Sequence, residues 1–195
     1  MKRLWIELYL AFVTLGLFGL YLFASAKFRW PTVITIVGAS LPAGIAWFEP
    51  GVAVARGQIA QECLPPALAT YALEHRILPK WNNSPCPGQA MMLGKIVAAV
   101  AGDEVAVSAS GVTVNGRLWP MSTIKKVDAR GHRIDLRLPD GTFRVPRGSV
   151  LLLGLSPDSW DGRYWGPVPL SSIRGRLIPI VTNAGFFWKP RLEDR

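Results

Sequence analysis

Asn115-Gly116 stands between two short runs, Gly111-Val112-Thr113-Val114 and Arg117-Leu118. A two-residue hairpin turn needs positive φ at both central positions, and Asn-Gly accepts that with little strain. The chain therefore doubles back here, and Glu104–Ser108 just before it supplies another strand. Further on, Arg133–Val145 alternates around Asp140-Gly141 and reads as a second hairpin. Thr32–Val37, Ile45–Phe48, Val52–Ala55, Lys95–Ala101, Ser149–Leu153 and Ile173–Val181 are further short runs, separated by Pro and Gly. No repeat, low-complexity tract or linker divides them. The pattern predicts one antiparallel, mainly β domain.

One excursion breaks the β texture. Pro65-Pro66 opens a short helix with Leu68, Tyr71, Ala72 and His75 on one face, and residues 82–88 read as turn. Cys63 and Cys86, the only two cysteines, bracket this insert 63–86. Their spacing fits neither a metal site nor a Cys-x-x-Cys redox pair. A disulfide is the expected reading, two unrelated buried thiols the alternative. A disulfide implies an oxidising compartment and so places the body outside the cytoplasm.

Met1-Lys2-Arg3 precedes an uncharged run from Leu8 to Ala26. About 20 apolar residues cross a bilayer as a helix, so residues 1–28 read as a membrane anchor and 29–195 as the body. Ala24-Ser25-Ala26 also has the form of a signal-peptide cleavage site, but the apolar run is long for a cleaved signal. Lys2 and Arg3 before the run are balanced by Lys27 and Arg29 after it, so charge does not set the orientation. The net charge of +9 is scattered, with no basic helix and no ladder of aromatic and basic residues. That pattern argues against nucleic acid as a partner and for an anionic lipid surface.

Ser40 lies in Val37-Gly38-Ala39-Ser40-Leu41-Pro42-Ala43-Gly44, where Pro42 and Gly44 disfavour helix and leave the hydroxyl on a loop. A serine needs a neighbouring base to become a nucleophile. The two histidines are poorly placed: His75 sits on the insert helix and His132 follows Gly131 in a turn. Lys95 is the better candidate, flanked by Met91-Met92-Leu93-Gly94 and Ile96-Val97-Ala98-Ala99-Val100. Desolvation disfavours an ammonium and can leave a buried lysine neutral at physiological pH. A lysine snorkelling from a strand edge is the alternative. Downstream, Asp161 and Arg163 can form an ion pair, and Ser159 offers a hydroxyl that could orient an amine.

Taken in order, Ser40-Leu-Pro-x-Gly44, Lys95 running into Gly102-Asp103, Val114-Asn115-Gly116, and Val145-Pro146 before Ser159-x-Asp161-x-Arg163-Tyr-Trp-Gly166-Pro-Val-Pro169 resemble the type I signal peptidase family. The Ser-Leu-Pro-x-Gly form and the cysteine-bracketed insert resemble its TraF-type conjugative transfer branch. The resemblance implies a signal-peptidase-like β domain on an N-terminal transmembrane helix, in the bacterial inner membrane with the catalytic domain in the periplasm. It implies a serine endopeptidase with Ser40 as nucleophile and Lys95 as general base, acting without metal or cofactor. Ser159 would then hold the amine, with Asp161 and Arg163 as the supporting pair. The implied partners are a pilin or other preprotein substrate, inner-membrane lipid and other conjugative transfer components. Pilin processing, with or without head-to-tail cyclisation, is the leading expectation. A general signal peptidase and a non-catalytic envelope scaffold in pilus assembly are the alternatives. Two departures from the family pattern stand out. Gly38 occupies the place where many members carry an oxyanion-donating serine, and Gly154-Leu155-Ser156-Pro157 replaces the usual Gly-Asp-Asn-Arg turn.

Overall fold

The computed structural model describes residues 12–19, 32–38, 40–127, 131, 133–136 and 138–190. The chain falls into two compact units, residues 1–31 and 32–195. In the first, residues 12–19 form a helix, α1, with every residue exposed. The rest of the expected span from Leu8 to Ala26, and the Ala24–Ala26 motif, lie outside the described residues. Among the described residues no helix is long and apolar enough to cross a membrane.

The second unit is antiparallel β-sheet. Its elements run in chain order as β1 (Thr32–Ile36), β2 (Gly44–Pro50), β3 (Ile59–Glu62), α2 (Pro66–Glu74) and β4 (Leu93–Val100). Next come β5 (Glu104–Ser108), β6 (Gly111–Val114), β7 (Arg117–Leu118), β8 (Gly141–Arg144) and β9 (Ser149–Leu153). The last are α3 (Gly162–Trp165), β10 (Val168–Pro169), β11 (Ile173–Thr182) and β12 (Gly185–Phe186). The larger, 8-stranded sheet has the order β1-β2-β11-β3-β4-β9-β10, with β12 paired to β11. The smaller, 4-stranded sheet has the order β7-β6-β5-β8.

The Asn115-Gly116 turn forms as expected, with φ of 49° and 79°, and joins β6 to β7. The hairpin expected around Asp140-Gly141 does not form. Instead, Gly141–Arg144 pairs with β5, from Val107↔Gly141 to Glu104↔Arg144. The open edge of β5 offers a complete ladder and sets Phe143 opposite buried Val105, and that outweighs local turn propensity. Val52–Ala55 is not a strand either, since Pro50 and Gly51 end the pairing of β2.

β3 had no sequence signal because Ile59-Ala60-Gln61-Glu62 neither alternates nor is wholly apolar. It is nonetheless buried at every position, clamped between β11 and β4. Its neighbour β4 reads as a continuous apolar run for the physical reason that it is covered on both faces. Ile96 and Ala98 join a core with Val105, Val112, Trp119 and Leu153, while Val97 packs with Ala60, Val150, Leu152 and Val168.

Cys63 and Cys86 are joined by a disulfide across a sequence separation of 23. Leu64, Ala69, Ala72 and Leu78 of the insert pack with Ala90 and Leu93 in a small core around the bridge. Pro66 starts α2 with its fixed φ, and Ala69 and Ala72 form the buried face. The expected face is only partly correct: Leu68 and Tyr71 are half-buried, and His75 is exposed. Closing a loop of this length removes entropy from the unfolded chain, so reduction is expected to cost about 3 kcal/mol of stability. Denaturant midpoints with and without reductant measure this, and coincident midpoints would remove the bridge from the stability account.

Candidate active site

Ser40 sits on the connection from β1 to β2, half-buried, with its carbonyl oxygen accepting from the Leu155 N–H at 2.8 Å. Its neighbour Leu41 is buried and reaches across β4. Gly94 makes room there: a Cβ at that position would lie 3.2 Å from Leu41 and 3.3 Å from Leu177. Lys95 follows on β4, opposite Ala60 of β3, and is only 2% exposed.

Three side chains converge. The Lys95 Nζ donates to Ser40 Oγ, and it donates to Ser159 Oγ at 3.0 Å. The two serine hydroxyls are themselves 2.9 Å apart. Each comes from a different part of the chain: the β1–β2 connection, the middle strands of the larger sheet, and the loop after β9. Burial drives the Lys95 amine below its ordinary value, opposed by the charges of Asp161 and Glu62 and assisted by that of Arg163. A neutral amine with its lone pair beside a serine hydroxyl can accept that hydroxyl's proton.

Asp161 and Arg163 lie behind the triangle, both side chains fully buried. Their contact is bidentate, with Nε to Oδ1 at 2.8 Å and an Nη to Oδ2 at 3.0 Å. Asp161 also caps α3 by accepting from the Arg163 N–H, and its Oδ2 accepts from the Gly154 N–H at 2.7 Å. Arg163 uses its remaining donors on the carbonyls of Met121 at 2.8 Å and Ser156 at 3.1 Å. This is how the departed turn at residues 154–157 is held: the Arg163 guanidinium takes its carbonyl, and its Leu155 N–H takes that of Ser40.

Gly154 is a site residue that the sequence did not announce as one. A Cβ there would collide with Ser159 and lie 3.0 Å from the Ser40 Cβ. Its N–H goes to Asp161 and its carbonyl accepts from the Trp119 indole at 2.9 Å, so Trp119 is both core and brace. Glu62 was missed as well, because nothing in the order Gln61-Glu62-Cys63 marks a buried carboxyl. His75 lies at the surface, its ring stacked on Tyr71 with centroids 3.9 Å apart. His132 lies outside the described residues.

A groove of about 560 Å³ opens on the triangle. One wall is residues 34–38 of β1 and its continuation, the other Met91–Lys95, with Leu41 and Leu177 in the lining. The disulfide-bounded insert adds Ile77, Leu78 and residues 81–85 to the lining.

The chain is similar to known proteins. The family described as signal peptidase, peptidase S26, matches residues 34–182. A plasmid transfer protein TraF of Escherichia coli is 34% identical over 146 residues, covering 73% of this chain and 79% of that protein. A conjugal transfer protein TraF of Agrobacterium tumefaciens is 33% identical over 129 residues, covering 66% and 70% respectively. A signal peptidase I of Enterococcus faecalis, solved by crystallography, is 21% identical with a TM-score of 0.34 and covers 64% of this chain and 97% of that one. With a match running from β1 to the end of β11, the chain belongs to the peptidase S26 family of signal peptidases.

Proposed function

We propose that the chain is a membrane-bound serine endopeptidase in which Ser40 and Lys95 form the catalytic dyad, and that it processes a conjugative pilin. The observation that carries this reading is the Lys95 amine, buried and hydrogen-bonded to the hydroxyls of both Ser40 and Ser159. Relatives bearing plasmid-transfer and conjugal-transfer names favour a pilin over a general secretory precursor. The Cys63–Cys86 bridge favours a periplasmic site for the body, and the apolar run near the N-terminus favours anchoring in the inner membrane.

In this mechanism Lys95 takes the Ser40 proton as Oγ attacks the scissile carbonyl, and Ser159 keeps the amine aimed. The ammonium then hands its proton to the leaving amine. The backbone N–H of Ser40 is the proposed oxyanion donor, since Gly38 supplies no hydroxyl. Water releases the acyl-enzyme, or a suitably presented amine does so and closes a ring. Extended substrate residues add to the groove as a strand between β1 and Met91–Gly94, with residues of the insert in its lining.

Because Lys95 must be neutral to act, activity is absent at low pH and rises as pH passes the value at which the buried amine loses its proton. An ordinary lysine would place that limb at about 10.4. The expected acid limb of kcat/KM lies below that value, because burial disfavours the ammonium. Co-expression with a candidate pilin, followed by mass spectrometry of the pilin, tests the function itself. A trimmed or ring-closed product that needs Ser40 is the expected result, and an unprocessed pilin would remove it as the substrate.

A further inference from the structure

β3 ends on a carboxyl that takes no part in the contacts around Ser40. Glu62 is 0% exposed, and neither of its side-chain oxygens has a hydrogen-bond partner. An unpartnered carboxyl is costly to bury, so such a group is held protonated or leans on a nearby cation. Its backbone is fixed from both sides, opposite Ile173 of β11 and Leu93 of β4. In that register Ala60 faces Lys95, which makes Glu62 the diagonal neighbour of Lys95 on the same face of the sheet. Diagonal neighbours lie roughly 7–8 Å apart, within electrostatic reach where water is excluded.

The charges that act on Lys95 come from three elements: Glu62 on β3, Asp161 in the loop after β9, and Arg163 on α3. Asp161 and Arg163 answer each other through their bidentate pair, and Asp161 also accepts from the Gly154 N–H. Glu62 has no such partner among the described residues. We propose that Glu62 is a positioning residue that acts through Lys95, its carboxyl making the buried amine a stronger base. The inference rests on Lys95 being the general base.

The chemistry is electrostatic. In the attack the Ser40 O–H bond breaks, Oγ bonds to the carbonyl carbon, and the proton moves to Lys95 Nζ; Glu62 exchanges no atom. Burial pushes the Glu62 carboxyl up to about 8, with Lys95 opposing the rise and Asp161 adding to it. The ionised fraction of the carboxyl grows as pH rises towards that value, and where the carboxyl is already an anion it favours the arrival of positive charge on Nζ. That anion in turn steadies the ammonium in the transition state. A site without the carboxyl would hold a lysine that loses its proton more readily but accepts one less well.

The test uses the full chain in detergent, a quenched fluorescent peptide with Ala-x-Ala before the cut, and the pH dependence of kcat/KM. In Glu62→Gln and Glu62→Leu the acid limb is expected to move to lower pH by about one unit, with a plateau several-fold below that of the parent. A merely structural role would lower the rate without moving the limb. NMR titration of the Glu62 carboxyl carbon in the unmodified protein serves as a second measurement that no folding defect can obscure. A carboxyl carbon that also shows a step where Lys95 loses its proton supports the proposal; a titration blind to Lys95 overturns it. A limb unmoved in both variants, with Lys95 variants still inactive, also overturns it and leaves the dyad standing. A limb that persists in Lys95→Ala would instead sink the dyad reading.

Discussion

Ser40→Ala and Lys95→Ala are each expected to lower processing at least about a thousandfold while the fold persists, because in the proposed mechanism each removes a group that exchanges the proton or forms the acyl bond. Ser40→Ala deletes a single oxygen from a half-buried loop position, so its thermal melt should match that of the parent. Lys95→Arg should be equally inactive. A guanidinium stays protonated near neutral pH and cannot accept the serine proton. His75→Ala should retain activity, since that side chain stacks on Tyr71 at the surface. The measurement is initial rate with substrate in excess, beside a melt for each variant. Residual cleavage within tenfold of the parent in either Ser40→Ala or Lys95→Ala would remove that residue from the mechanism.

The second large effect falls on stability. Arg163→Met is expected to destabilise the protein by about 3–5 kcal/mol, the cost of leaving one buried charge without its partner. Asp161 would keep its N–H donors from Gly154 and residue 163 but lose both guanidinium contacts. The carbonyls of Met121 and Ser156 would lose their donors in the same step. Asp161→Asn is milder, because an amide still accepts a hydrogen bond. It should loosen the loop that carries Ser159 and reduce activity while leaving a measurable remnant. Chemical denaturation of both variants checks the order. A loss under about 1 kcal/mol in Arg163→Met would mean that water or another donor replaces the guanidinium.

How much of this was legible beforehand depended on whether the signal was local. Asn115-Gly116 carries its own turn, and Pro65-Pro66 carries its own helix start, so both formed where local chemistry put them. Ser149–Leu153 was read to the residue because a short apolar run between breaks has one reasonable structure when both faces are covered. Asp140-Gly141 had an equally good local signal and failed, since the free edge of β5 offered a longer ladder to the residues after it. β3 failed in the opposite sense. Ile59-Ala60-Gln61-Glu62 has no strand pattern of its own and is a strand because β11 and β4 stand on either side.

The same division runs through the site. Local chemistry raised Ser40, Lys95, Ser159, Asp161 and Arg163 as candidates, the ordered resemblance to the signal peptidase family implied their roles, and the two cysteines stood out as the only pair. Their convergence was decided only in three dimensions, where the β1–β2 connection, β4 and the loop after β9 meet. So was the bare backbone of Gly154, which matters for a side chain it lacks and for Ser40, a neighbour far away in sequence. So, finally, was Glu62. Burial and register depend on what packs against a residue, and a carboxyl next to a cysteine in sequence carries no mark of the amine it will meet across the sheet.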